Sequence, residues 1–140
     1  MSRTVSLCLS DDLVTRIGFF AHTLGNGVTF RDASIILLEE ALRKAEFSGI
    51  EFLNTSIGRE PFLKQTGMAV WEFIMVSKGF YMEAEPTAEY LQCSVEKVKL
   101  ALAYYDAYHE EIDQDLQNND MGEEGLKRLF PNLQVFIVSA

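Results

Sequence analysis

This 140-residue sequence predicts a mainly α-helical chain of two small modules and a C-terminal tail, opened by one short strand. Three observations carry that expectation. Val5, Leu7 and Leu9 alternate with Thr4, Ser6 and Cys8, the period-two pattern of a strand with one buried and one open face. Ser10 and Thr29 each stand where a helix N-cap belongs, ahead of apolar residues at helical spacing. From Val95 to about Leu116, apolar residues recur at intervals of three and four.

Taken in order, the strand comes first. A lone five-residue strand cannot satisfy its own backbone edge, so it needs a partner strand. In a chain this short a second copy is the natural donor, giving an intermolecular two-stranded ribbon. Such a ribbon, with small polar groups outward, can read the major groove of DNA. The plainer alternative for Thr4, Ser6 and Cys8 is a polar edge that keeps a strand in solution, or for Cys8 a redox-sensitive thiol.

The first helix should run from about Asp11 to Thr23, with Leu13, Ile17, Phe20 and Leu24 on one stripe. Leu24-Gly25-Asn26-Gly27 stops it, because Gly and Asn tolerate the left-handed backbone that ends helices. Thr29-Phe30-Arg31-Asp32 is close to a capping box, and a second helix continues to about Ala45. Its stripe of Ala33, Ile36, Leu37, Glu40 and Ala41 is flanked by Ile35, Leu38 and Leu42. A helix this apolar in a module of residues 1–46 needs a second surface to cover it, which again points to a homodimer.

Phe47-Ser48-Gly49 marks the first boundary. Ile50 to Leu53 and Pro61 to Lys64 form a short β-hairpin around Asn54–Gly58. A helix over about Ala69 to Ser77 follows, then a shorter one after Pro86. Ser94 caps a long helix to about Leu116, with Val98, Leu102, Tyr105, His109, Ile112 and Leu116 on one seam. Residues 49–117 make the second module. Asn118 to Gly122 breaks the helix, and residues 118–140 form the tail.

Composition narrows the function. With 48% hydrophobic residues the chain can bury one core or two small ones. A net charge of −9 disfavours a protein that coats nucleic acid indiscriminately. The charge is uneven: residues 1–46 carry five bases against six acids, while the remainder holds seven against fifteen. Only the first third can present an electropositive patch. Cys8 and Cys93 are isolated, which predicts neither a metal site nor a disulfide and suits a reducing compartment. No signal peptide or membrane-spanning run is visible, so a soluble cytoplasmic protein is expected. Neither a nucleophile–base pair nor a glycine-rich phosphate loop appears, so no enzyme activity and no cofactor are expected.

The first module resembles the ribbon-helix-helix DNA-binding family over residues 3–45: strand, Ser10-Asp11-Asp12 cap, amphipathic helix, glycine turn and second capped helix. That resemblance implies that Thr4, Ser6 and Cys8, with Arg3 at their edge, enter the major groove. It also implies that Thr29, Phe30 and Arg31 hold a DNA phosphate through free backbone N–H groups and the helix dipole. The family usually carries Arg, Lys, Asn or Gln on its reading face, and this chain has Thr, Ser and Cys there, which implies weak specificity per dimer.

The second module carries Gly58-Arg59-Glu60-Pro61, Gln65-Thr66-Gly67, Val70-Trp71, Ala88-Glu89-Tyr90-Leu91, Val98, Ala101 to Tyr105 and Glu110 to Asp113. In these residues it looks like the domain-of-unknown-function 433 family found in bacterial antitoxins of the VapB kind. Thr87 to Leu102 also looks like a helix-turn-helix, with Gln92 where a turn glycine is common. Lys97 and Lys99 on its second helix are surrounded by Glu96, Asp106, Glu110 and Glu111, so a protein contact suits them better than phosphate. The carboxylates Glu110, Glu111, Asp113 and Asp115 read as a solvated helix face, His22 as a partner of a helix C-terminus, and Trp71 as core.

Together the two resemblances imply the antitoxin of a bacterial type II toxin–antitoxin system, a dimer that binds operator DNA as an autorepressor and neutralises a partner toxin ribonuclease. Lys127, Arg128, Leu129 and Phe130 would contact the toxin, a PIN-type or similar nuclease with an acidic centre. The alternative for that segment is a terminal element packed on its own module. The alternative for the whole chain is a stand-alone dimeric ribbon-helix-helix transcriptional regulator with no toxin partner.

Overall fold

The computed structural model describes residues 2–119, which divide into two compact units on either side of the Ala69–Val70 bond. The first unit holds helices α1 (Asp11–Leu24) and α2 (Phe30–Glu46) and the strands β1 (Ile50–Thr55), β2 (Gly58–Leu63) and β3 (Met68–Ala69). The second holds α3 (Val70–Lys78), α4 (Ala84–Leu91), α5 (Val95–Ala107) and α6 (His109–Asn118). Among the described residues no helix is long and apolar enough to cross a membrane.

Local chemistry sets both helix starts in the first unit. Ser10 is extended, and its Oγ accepts from the Leu13 N–H at 3.1 Å, with Asp11 and Asp12 complementing the helix dipole behind it. Gly25, at φ +126°, ends α1 in a conformation that favours glycine. Thr29 completes the capping box: its Oγ1 accepts from the Asp32 N–H at 3.0 Å, and the Asp32 carboxylate accepts from the Thr29 N–H at 3.5 Å. Ile17, Ala21 and Ala33 are the buried residues between the helices, with Phe20, Leu24, Val28 and Leu37 packed around them.

The sheet is antiparallel in the order β1-β2-β3, with Ile50 opposite Leu63 and Thr55 opposite Gly58. That register leaves Ser56-Ile57 as a two-residue loop, tighter than the one expected at Asn54–Gly58. The third strand was not signalled by the sequence, being two residues paired to the end of β2.

The expected fold class is corrected at the N-terminus. Residues 2–10 form neither helix nor strand, and the three strands follow the first two helices instead of preceding them, so the ribbon-helix-helix with an intermolecular two-stranded ribbon does not describe this structure. Alternation gives a segment two faces but no partner edge, and burial of one face is what fixes a strand and its register. Here Val5 is 70% and Leu7 68% exposed, and Thr4, Ser6 and Cys8 on the other face are exposed too. No burial distinguishes the faces, and among the described residues strand pairing is confined to the hairpin and β3.

In the second unit α3 packs against α5 and α6, with α4 against α5. Phe73, Ile74, Val98, Ala101, Tyr104 and Ile112 are all but inaccessible. The long helix expected over Val95 to Leu116 is broken at Tyr108 (φ −132°, ψ 42°). A straight helix would keep His109 on the seam; the break leaves His109 exposed and Ile112 wholly buried. Gln92 takes the left-handed conformation (φ 55°, ψ 44°) at the end of α4, where glycine would be less strained by about 1 kcal/mol.

Candidate nucleic-acid interface

Residues 2–9 run alongside the start of α2 and leave a groove of about 680 Å³ between them. Its walls are Ser2, Arg3, Thr4, Val5, Leu7 and Leu9 on one side and Phe30, Arg31, Ser34, Ile35 and Leu38 on the other. No carboxylate lines it, although the chain as a whole is strongly acidic. Arg3 and Arg31, far apart in sequence, thus flank one surface. Of the residues expected to touch DNA, the fold brings together Arg3, Thr4, Phe30 and Arg31. Ser6 and Cys8 are exposed on the same segment but do not line the groove.

Thr29 sits beside this surface with its hydroxyl already engaged by the Asp32 N–H. The Asp32 carboxylate occupies the Thr29 N–H and sets a negative charge against the positive end of the helix. The N–H groups of Phe30 and Arg31 remain for an anion, because a helix's first donors lack intrahelical acceptors. An anion at this helix start would depend more on the Arg31 guanidinium than on the dipole that the sequence emphasised.

A polar cluster that the sequence did not single out holds the hairpin to the helices. Arg59 grips Glu40 with two bonds, Nε to Oε2 at 2.8 Å and Nη2 to Oε1 at 2.9 Å. Its Nη1 donates to Asn54 Oδ1 at 3.2 Å, and Asn54 Nδ2 donates to the Thr23 carbonyl at 3.4 Å. The Arg59 guanidinium also lies 5.3 Å from the centre of the Phe20 ring. Glu40 is only 6% exposed and Arg59 is half-buried, so this is a bidentate pair with a buried carboxylate. The signal was present: a carboxylate on an otherwise apolar helical stripe needs a cation, and Arg59 follows a glycine turn.

The acidic face of the second unit is partly a set of internal contacts. Tyr104 donates its hydroxyl to Glu111 at 3.2 Å and Tyr105 to Asp113 at 2.7 Å, both across the break at Tyr108. The bond to Asp113 leads in pushing the Tyr105 hydroxyl up to about 12, helped by burial and by the charges of Asp113 and Asp106. Burial raises the Cys93 thiol, an effect that the nearby Lys97 charge opposes. Lys99, Glu96 and Asp106 are exposed, and Lys97 is half-buried. Lys127, Arg128, Leu129 and Phe130, expected to meet a toxin, lie outside the described residues. Comparison with protein-family models, with curated proteins and with solved structures found no match to this chain.

Proposed function

We propose that this chain is a cytoplasmic antitoxin-type regulator, a binding protein and not an enzyme. In this reading the first unit pairs with a second copy through exposed apolar residues of α2 such as Ile35, Leu38 and Leu42, and binds operator DNA through the arginines that flank the groove. The acidic second unit and the segment around Lys127 to Phe130 neutralise a partner toxin ribonuclease. The observation that carries the DNA half is the meeting of Arg3 and Arg31 at one carboxylate-free groove, beside the start of α2. Phosphate contact needs local positive charge, and two of the five bases of residues 1–46 stand here. The toxin half is supported by charge: seven bases against fifteen acids beyond residue 46 suit association with a basic nuclease surface.

Titration of the full chain with the DNA upstream of its own gene, at several salt concentrations, tests the first half. Each phosphate contact steepens the slope of log affinity against log salt by about 0.9. Arg31→Ala should therefore lower that slope by about one for each copy bound. An unchanged slope, or no salt-dependent binding, would contradict the reading. Co-purification from the native operon tests the second half: a stoichiometric nuclease supports it, and a chain that purifies alone beside no nuclease gene favours a stand-alone regulator.

A further inference from the structure

We infer that Asn26-Gly27 is a site of spontaneous deamidation, and that the charge it creates weakens anion binding at the start of α2. The second half rests on the DNA-binding reading above; the first does not. This is the chain's single Asn-Gly pair, in the turn between α1 and α2. Both residues are exposed, and among the described residues no hydrogen bond engages the Asn26 side chain or the Gly27 N–H. Gly25 and Gly27 both have positive φ, and a Cβ built on either meets nothing within 4 Å, so open space surrounds the turn. Folded proteins protect asparagine by fixing its side chain or the next N–H. Asn54 shows that protection, bonded through both side-chain atoms to Thr23 and Arg59.

The step is balanced without any external oxidant or cofactor. The Gly27 backbone nitrogen attacks Asn26 Cγ, the N–Cγ bond forms, and the Cγ–Nδ2 bond breaks as ammonia departs with the Gly27 proton. Water then opens the cyclic imide at either carbonyl, giving aspartate or isoaspartate. The net change is amide plus water to carboxylic acid plus ammonia, and the acid ionises at neutral pH.

The new carboxylate lies three residues before Thr29, so no more than about 11 Å of chain separates them. That is close to the Debye length of about 8–10 Å at physiological salt, so a phosphate near Arg31 feels it and salt attenuates it. At low ionic strength the repulsion amounts to about a twofold loss of DNA affinity for each copy.

The test incubates the intact full chain in mildly alkaline buffer made with heavy-oxygen water, then maps peptides by mass spectrometry. Asn26 should take up the label as fast as a free peptide of the same sequence, and faster than Asn54. Asn26→Gln should abolish the acidic species. Persistence of Asn26 while the free peptide converts overturns the inference. In parallel, Asn26→Asp should weaken operator binding at low salt and bind normally at high salt; undiminished low-salt binding overturns the regulatory half. If Asn26 converts but the unmodified chain binds no DNA, the modification stands and the DNA-binding reading fails.

Discussion

The two units solve the same problem, covering apolar side chains, in opposite ways. In the second, α3, α5 and α6 bury Phe73, Ile74, Val98, Tyr104 and Ile112 almost completely. In the helices of the first, only Ile17, Ala21 and Ala33 are buried apolar residues. Val5, Leu7, Phe19, Ile35, Leu38 and Leu42 stand 48% or more exposed, and of the large hydrophobics exposed in the described chain all but Tyr81 belong to this unit. Ile35, Leu38 and Leu42 follow one another at spacings of three and four, a continuous stripe. A monomer seldom leaves such a surface open, and its near-neutral charge raises little repulsion between copies. Among the described residues, the first unit leaves its apolar side chains open and the second buries them.

Substitutions at matched aromatic residues should separate the units most sharply. Phe73→Ala removes a side chain 1% exposed and should cost about 3–5 kcal/mol. Phe19→Ala, at a position 68% exposed, should change monomer stability by about 0.5 kcal/mol or less. Scanning calorimetry of the two variants reads the difference. Equal losses would mean that Phe19 is covered in solution, within its own unit or by the second copy.

Next comes the polar lock of the first unit. Arg59→Ala leaves Glu40 buried without its cation and should destabilise by about 3 kcal/mol. Arg59→Met together with Glu40→Met should recover much of that, because replacing a buried pair with apolar groups is often neutral. Urea denaturation measures both, and a harmless Arg59→Ala would show that the pair does not hold the hairpin. A smaller effect, about 1 kcal/mol, is expected for Thr29→Ala through loss of the capping box, read from the same curves.

The smallest concerns the break between α5 and α6. The Tyr105 hydroxyl, with an ordinary value of 10.0, is raised to about 12 in the folded chain. Its contribution is therefore complete below pH 10 and is lost as pH climbs through about 12. Because the pair is only half-buried and solvent still screens it, the loss should stay below about 1 kcal/mol. Tyr105→Phe should remove this alkaline dependence in thermal scans; an unaltered profile would assign it to another group.

What the sequence made legible follows the range of the interactions concerned. The starts of α1 and α2 were readable because Ser10 and Thr29 act within three residues of themselves. The hairpin was readable because a glycine turn separates two apolar runs, although β3 had no pattern long enough to notice. The N-terminal strand failed because its alternation describes one partner of a pair, and the other partner is not in the local sequence. The break at Tyr108 was hidden because the seam keeps helical spacing straight across it. In the candidate site, Arg31 at a capped helix start was visible, but its meeting with Arg3 depends on how residues 2–9 run beside α2. The Glu40–Arg59 pair was half visible: Glu40 broke an apolar stripe, while its partner lies 19 residues on.

In the proposed dimer a second copy covers the exposed face of the first unit. Sedimentation equilibrium of the full chain, beside a Leu38→Asp, Leu42→Asp variant, measures it. The dimer gives twice the 15.8 kDa mass of one chain for the parent and a single-chain mass for the variant, with equal helical signal in both. A parent chain that stays at 15.8 kDa across all concentrations would contradict it.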